Sequence, residues 1–336
     1  MTRGRKALVL VLGLMGLLGW ASSTAFAAKE IRVATVALPE TTIHQGLDHW
    51  KPILEQRSGG KISLKVLGRA VMGGDREMIE GARLGTLDAG IVSGSVLANL
   101  VPEYFMVAMP YLFDSADEVN AYLDGEIGRK LFKLLEPKGL VGIGWSTWSF
   151  RGIWNNVRPI TKPEDLKGLK IRTVETPLDV STMTYMGAIG TPIAWSECLL
   201  GLKQGTVDGI STTYGLGYPL KLYELAKFAS RTNHYYETAP LIMSKKLFDS
   251  FTPDEQKMIK ETGAQAMLWA RKEQAQFEEK AKDLIEAKGV KVNSLSPEAF
   301  EEFRERTRPV YEQFRLKIGA GFMDETMTFL KSVRKK

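Results

Sequence analysis

Apolar positions recur with a period of two over Lys29–Val36 (KEIRVATV) and Lys61–Leu67 (KISLKVL), and both runs carry β-branched residues. That spacing predicts strands. Between them, Gln45–Gln56 switches to a helical spacing. Asp75–Leu84 (DREMIEGARL) makes the same switch, with Asp75 placed to cap a helix N-terminus. The apolar run in LDAGIVSGS then predicts a short buried strand. The order β-α-β-α-β is the mark of an open α/β sheet.

The pattern has an echo. ARLGTLDAGIVSGS (82–95) and GLKQGTVDGISTTY (201–214) share one grammar: a helix end, a glycine (Gly85, Gly205), a threonine, an aliphatic residue and Asp before a strand. Glycine at the first position past a helix takes the left-handed conformation that stops it. The second copy sits in its own α/β run: Leu169–Val174 as strand, Pro177–Met186 and Ser196–Lys203 as helices, Val207–Ser211 as strand. Two such units predict two lobes with a cleft between them. Ligands of open α/β sheets bind beyond the carboxyl ends of the strands and at domain interfaces.

The C-terminal third reads differently. Pro253–Ala287 and Pro297–Lys331 are helical in period and charge pattern. Thr252-Pro253-Asp254-Glu255 supplies a cap, a proline in the first turn and acids near the helix N-terminus. Ser296-Pro297-Glu298 repeats the device. One helix over 252–287 is long enough to run across both lobes. Its charge runs are read as solvated faces of a scaffold.

Composition narrows the class. The chain has 336 residues, 44% hydrophobic and 25% charged, a soluble globular balance that fits two domains. Cys198 is the single cysteine, which excludes an intramolecular disulfide and a Cys-rich zinc site. His44, His49 and His234 are too scattered for a metal cluster, and no metal or cofactor is predicted. The N-terminus reads as a secretory signal over residues 1–27. Arg3, Arg5 and Lys6 precede an apolar run from Ala7 to about Trp20, and Ala25-Phe26-Ala27 forms the cleavage site. The apolar run is short for a membrane span. Cleavage removes three positive charges and no acids, so the net charge falls from +6 to +3. That weak excess does not argue for nucleic acid. The mature chain is expected in the periplasm.

Chemistry-bearing motifs are sparse. There is no G-x-S-x-G elbow and no H-E-x-x-H, and Cys198 lies in an apolar helical stretch away from any histidine partner. An exported hydrolase stays only as an alternative, because fold alone never settles function. In GLKIRTVETP (168–177) a single arginine, Arg172, closes a short extended run. Its guanidinium suits bidentate capture of a carboxylate in a dry site. The competing reading is an ion pair with Glu175 or Asp165.

Several stretches, in their order and spacing, resemble one family. They are GDREMIEGARLGTLDAGIVSGSVLANLVPEY with MPYLF after it, FRGIWNNVRPITKPEDLKGLKIRTVETP, IAWSECLLGLKQGTVDG, and KLYELAKF with TNHYYETAPLIMSKKLFDSFTPDEQK. Together they resemble the DctP-type solute-binding proteins of tripartite ATP-independent periplasmic (TRAP) transporters, over essentially all of the mature chain. The resemblance implies a two-lobed α/β periplasmic binding-protein fold with hinge segments and a long helix bridging the lobes. By it, lobe I takes 28–150 plus about 240–278, and lobe II takes about 151–239 plus 279–336. It implies an organic acid held between the lobes, and as partners a small and a large integral membrane subunit driven by an ion gradient. Service to a sensor instead of a transporter stays open.

The resemblance also assigns residues. Arg172 aligns with the arginine that grips the ligand carboxylate, and Arg151 with a second arginine near the ligand. Trp195 falls where an aromatic side chain packs on the ligand, with interlobe core as the alternative. Ser93 and the region around Val36 face the cleft. Thr212 stands where many members have asparagine, and so offers one donor instead of an amide's two. Glu175 stands where several members have a neutral polar residue; an acid there disfavours a dianion and suits a hydroxyl or ammonium. Tyr214 and Trp148 are candidates for the aromatic walls or for plain core. The predicted ligand is a small monocarboxylate with an apolar or ring portion against Trp195 and a polar substituent at Glu175; C4-dicarboxylates are disfavoured.

Overall fold

The protein was analysed as a computed structural model that describes residues 29–335. The signal segment of residues 1–27 lies outside the described residues. The alternating runs do form strands: β1 (Lys29–Thr35) and β2 (Ile62–Leu67) pair in parallel around α1 (Thr42–Arg57). α2 (Asp75–Leu84) leads to β3 (Ala89–Ile91) and a short α3 (Gly94–Leu97). Unpredicted helices α4 (Ala116–Asp124) and α5 (Glu126–Leu135) precede β4 (Leu140–Phe150).

The second unit runs β5 (Gly152–Asn155), β6 (Lys170–Thr173), α6 (Pro177–Met186), β7 (Ile189–Pro192), α7 (Trp195–Lys203), β8 (Gly209–Thr212), α8 (Tyr214–Gly217) and β9 (Phe228–Arg231). Then β10 (Tyr236–Ser244) and α9 (Lys245–Phe248) precede the long α10 (Pro253–Glu286), followed by β11 (Lys291–Ser294), α11 (Pro297–Ile318) and α12 (Ala320–Arg334). The echo glycines behave alike: Gly85 and Gly205 both take positive φ, 80° and 72°.

Two sheets result. Lobe I holds the order β2-β1-β3-β10-β4, and lobe II the order β11-β9-β5-β8-β6-β7. The chain crosses between them at Arg151, between β4 and β5, and again over 232–235, between β9 and β10. Ser149 (φ 142°) and Asn233 (φ 47°) lie at these crossings in backbone conformations that side chains seldom take. Such strain belongs at positions the surrounding structure must hold for a purpose. α10 spans 34 residues, about 50 Å at the helical rise. Its first half packs on α1 and β4, and its second half on α8 and β11, so it bridges the lobes.

The C-terminal helices depart from the sequence reading in two ways. The run 297–331 is not one helix, because Gly319 (φ 92°, ψ 117°) breaks it. Nor does all of 279–336 join lobe II. α11 packs on α6 in lobe II, but α12 returns to α4, and Met323 and Leu330 enter the core built by Tyr104, Phe105 and Tyr122 of lobe I.

Candidate functional site

The cleft is assembled where strands of both sheets end. β6 delivers Arg172, and Val174, two residues on, follows it to the cavity wall. From lobe I come Asp75 at the start of α2, Ser93 after β3, Trp148 on β4 and Glu237 on β10. Arg151 stands at the crossing, and α7 opens with Trp195. These side chains line one cavity together with Leu216. Its volume in this closed arrangement is about 30 Å³.

The two arginines are held differently. Arg151 is buried and fully engaged. Its Nε donates to Glu237 Oε2 at 2.6 Å, Nη2 forms an ion pair with the same oxygen at 2.6 Å, and Nη1 donates to the Ser211 carbonyl. Burial works against its charge, but Glu237 outweighs burial and holds its pKa above the ordinary arginine value. Its guanidinium lies over the Tyr235 ring, 5.0 Å from the centroid. Tyr235 in turn donates its hydroxyl to the buried Asp179 at 2.6 Å. Glu237 accepts a second bond on Oε1, from the Ser93 hydroxyl at 2.6 Å.

Arg172 is only 2% exposed. It donates Nε–H to the Ile193 carbonyl at 2.9 Å and stacks on Trp195, with Cζ 5.1 Å from the ring centroid. Its Nη1 is buried without a hydrogen-bond partner. Among the described residues no carboxylate comes within ion-pair distance of it. The ion-pair reading of Arg172 therefore fails on both named acids. Asp165 accepts bonds from Thr161 and from the Lys162 N–H. Glu175 faces Arg76 across the lobes at 4.0 Å. Burial and the positive charge of nearby Arg151 leave the Arg172 pKa below its ordinary value. An arginine desolvated in this way is poised for an incoming anion.

The predicted site residues divide. Arg172, Arg151, Trp195, Ser93 and Trp148 meet at the cavity, and Val36 lines it too. Thr212 is buried near the end of β8, does not line the cavity, and its hydroxyl has no partner. Three readings are corrected, that of Thr212 and two more. Glu175 does not line the cavity. Its backbone carbonyl accepts from Asn99 Nδ2 at 3.2 Å, and its side chain lies in a separate groove at the cleft mouth. Tyr214 is not a cleft wall. It packs edge-on against Trp154 (5.8 Å) and donates its hydroxyl to the Ala229 carbonyl at 3.1 Å, inside lobe II.

Sequence reasoning missed two acids. Asp75 is not the helix cap; Gly74 takes that position, and Asp75 Oδ1 accepts the Ser93 N–H at 3.0 Å. Burial raises the Asp75 carboxyl to about 6, with Arg172 pulling the other way. Glu237 had a legible signal, as the one acid in the otherwise uncharged run YETAPLIMS. An acid in a strand buried along its whole length requires a countercharge.

Two α/β lobes closed over a cleft, with a buried guanidinium whose Nη1 has no hydrogen-bond partner, fit a solute-binding protein of the two-lobed type. The chain belongs to the bacterial extracellular solute-binding proteins, family 7 (DctP), whose profile matches residues 33–317. A solute-binding protein of Verminephrobacter eiseniae is 31% identical over 284 residues, 84% of each chain. The sugar acid binding protein DctPAm of Advenella mimigardefordensis, solved with galactonate, superposes with a TM-score of 0.88 at 28% identity. It covers 91% of this chain and 98% of that one. A TRAP periplasmic solute-binding protein of Sulfurospirillum deleyianum with bound succinate gives 0.84 at 27% identity, covering 89% and 98%. The family thus holds TRAP binding proteins for organic acids, and it includes both a monocarboxylate and a dicarboxylate binder. Among the described residues no helix is long and apolar enough to cross a membrane.

Proposed function

We propose that this chain is the exported, periplasmic solute-binding subunit of a TRAP transporter, and that its ligand is a hydroxylated monocarboxylate. The observation that carries the reading is the buried, unpartnered Nη1 of Arg172 beside the cavity. A carboxylate satisfies that donor and returns the desolvated charge a partner. Charge accounting favours one carboxylate. Arg151 is already neutralised by Glu237, so among the cavity residues Arg172 is the cation without an acid partner. The rest of the ligand meets Asp75, Glu237 and Ser93, which hydrogen-bond its hydroxyls, and the charge of Glu237 disfavours a second carboxylate. The galactonate complex of the Advenella relative is a ligand of that chemistry.

Capture follows from the hinge. The lobes part about Arg151 and 232–235, the acid docks on Arg172 against Trp195, and closure expels water and strengthens the pair. Asn99 and Arg76 of lobe I then meet Glu175 of lobe II at the mouth, as rim contacts available only when closed. The closed form is the one delivered to the small and large membrane subunits. A thermal-shift screen of the mature chain against galactonate, galacturonate, erythronate and succinate tests this, with Arg172→Ala beside it. A ligand that binds only the folded chain raises the melting temperature. The reading requires a shift with a hydroxy monocarboxylate, little or none with succinate, and its loss in the variant. A shift retained in Arg172→Ala overturns it.

A further inference from the structure

The cleft carries more acid than the capture of an anion calls for. Glu237 accepts two hydrogen bonds and is ion-paired with Arg151. Asp75 has a weaker hold. Its hydrogen bond is one backbone N–H, from Ser93, and its countercharge across the cavity is Arg172. The other charged groups that face it are Glu237 on β10 and Glu175 from lobe II, both negative. Arg151 is bound to Glu237, and Arg76 on the same helix is exposed and turned to Glu175. A ligand carboxylate that docks on Arg172 therefore takes the countercharge of Asp75 and adds a negative charge beside it. Two carboxylates in one dry site cannot both stay ionised at neutral pH without a second cation.

We infer that Asp75 takes up one proton from solution when the ligand binds, so that capture of the monocarboxylate is proton-linked and Asp75 then donates a hydrogen bond to a ligand oxygen. The step balances: ligand anion, Asp75 carboxylate and one proton give a bound anion beside a neutral carboxylic acid, with Arg172 as the countercharge. Asp75 is in this account a specificity residue. As a donor it favours a ligand oxygen over an apolar or ammonium group at that end, and its titration makes the affinity depend on pH. The inference rests on the carboxylate reading of Arg172. Burial already draws the Asp75 carboxyl up toward the range in which it exchanges its proton, at about 6 in the closed form.

The test is calorimetric titration of the full mature chain with galactonate, in buffers of different ionisation enthalpy, from pH 6 to 8. Asp75→Asn and Asp75→Ser are run in parallel, with melting curves to show that both variants fold. Wild type should take up close to one proton per ligand at pH 7 to 8, and its Kd should rise about tenfold between those values. Both variants should bind without proton uptake and with a flat pH profile. Galactonate binding without proton uptake in the wild type overturns the inference and leaves the Arg172 reading standing. Uptake that persists in both variants assigns the proton elsewhere and also overturns it. If neither galactonate nor any other acid of the screen binds, the carboxylate reading falls and this inference falls with it.

Discussion

Glu237→Gln separates charge from shape in the cleft. Glu237 is 3% exposed, accepts two hydrogen bonds, from Ser93 Oγ and Arg151 Nε, and forms an ion pair with Arg151 Nη2. Glutamine keeps the volume, and its carbonyl oxygen still accepts from Arg151 while its amide turns to the Ser93 hydroxyl. Geometry is thus largely preserved, and what is lost is the countercharge of a buried guanidinium. Breaking a buried pair by removing one partner costs about 3–5 kcal/mol. With the hydrogen bonds retained, the lower end applies, about 3 kcal/mol. At roughly 2 °C per kcal/mol for a chain of this size, melting falls by about 6 °C in calorimetry without ligand.

The same change leaves two unpaired guanidinium groups in the cleft instead of one. Ligand preference should then move toward two carboxylates. Succinate, weak or inert with wild type, should gain at least about tenfold in affinity, which is about 1.4 kcal/mol. The assay is isothermal titration with succinate and galactonate on both proteins. An unchanged melting temperature with an unchanged succinate-to-galactonate ratio would refute the charge accounting outright.

Two other outcomes follow from the same geometry. Trp195→Ala removes the face on which Arg172 rests at 5.1 Å. It should weaken binding of the acid about tenfold, while Trp195→Phe recovers most of the loss; equal affinity for all three proteins would show that the stacking does no binding work. Glu278 is buried on α10, accepts the N–H groups of Tyr214 (3.0 Å) and Gly215 (2.6 Å), and burial lifts its carboxyl to about 7. The folded chain therefore holds this proton where the unfolded one releases it, so stability from this group falls as pH rises from about 4.5 to 7, by at most about 3 kcal/mol. The gap in melting temperature between Glu278→Gln and wild type should shift in favour of the variant across that window, and a pH-independent gap would contradict this.

Much of the frame was legible because it depends on local chemistry. The predicted helix Pro177–Met186 is α6 to the residue, since its threonine cap, proline and terminal glycine are all local signals. The long bridging helix announced itself through Thr252 and Glu255, which form the reciprocal cap. What failed depends on tertiary placement. α12 returns to lobe I because Met323 and Leu330 find the core around Tyr122, which no period in the sequence reveals. Tyr214 and Trp148 are both aromatic residues near strand ends, and only the packing of Trp154 against one of them decides which faces the cleft.

The cavity is lined by Arg172 and Arg151, which the sequence reading singled out, and by Asp75 and Glu237, which it did not. Arg172 is the inner of two charges on β6, whose other, Lys170, sits at the exposed start of the strand, and Arg151 sits at the lobe crossing. Glu175 drew attention by its nearness to Arg172 along the chain. Adjacent strand residues point to opposite faces, and by three residues on the chain has left β6 and turned toward α6. The acids that do face the cavity, Asp75 and Glu237, come from distant parts of the sequence and meet Arg172 only through closure of the two sheets on one another.

The central claim is that Arg172 holds the carboxylate. A crystal structure of the mature chain, grown with the acid that gives the largest melting shift, tests it most directly. The account predicts carboxylate oxygens within about 3 Å of Arg172 Nη1, with the remainder of the ligand against Trp195 and toward Asp75. A carboxylate held instead by Arg76 at the mouth, or by an Arg151 released from Glu237, would contradict it.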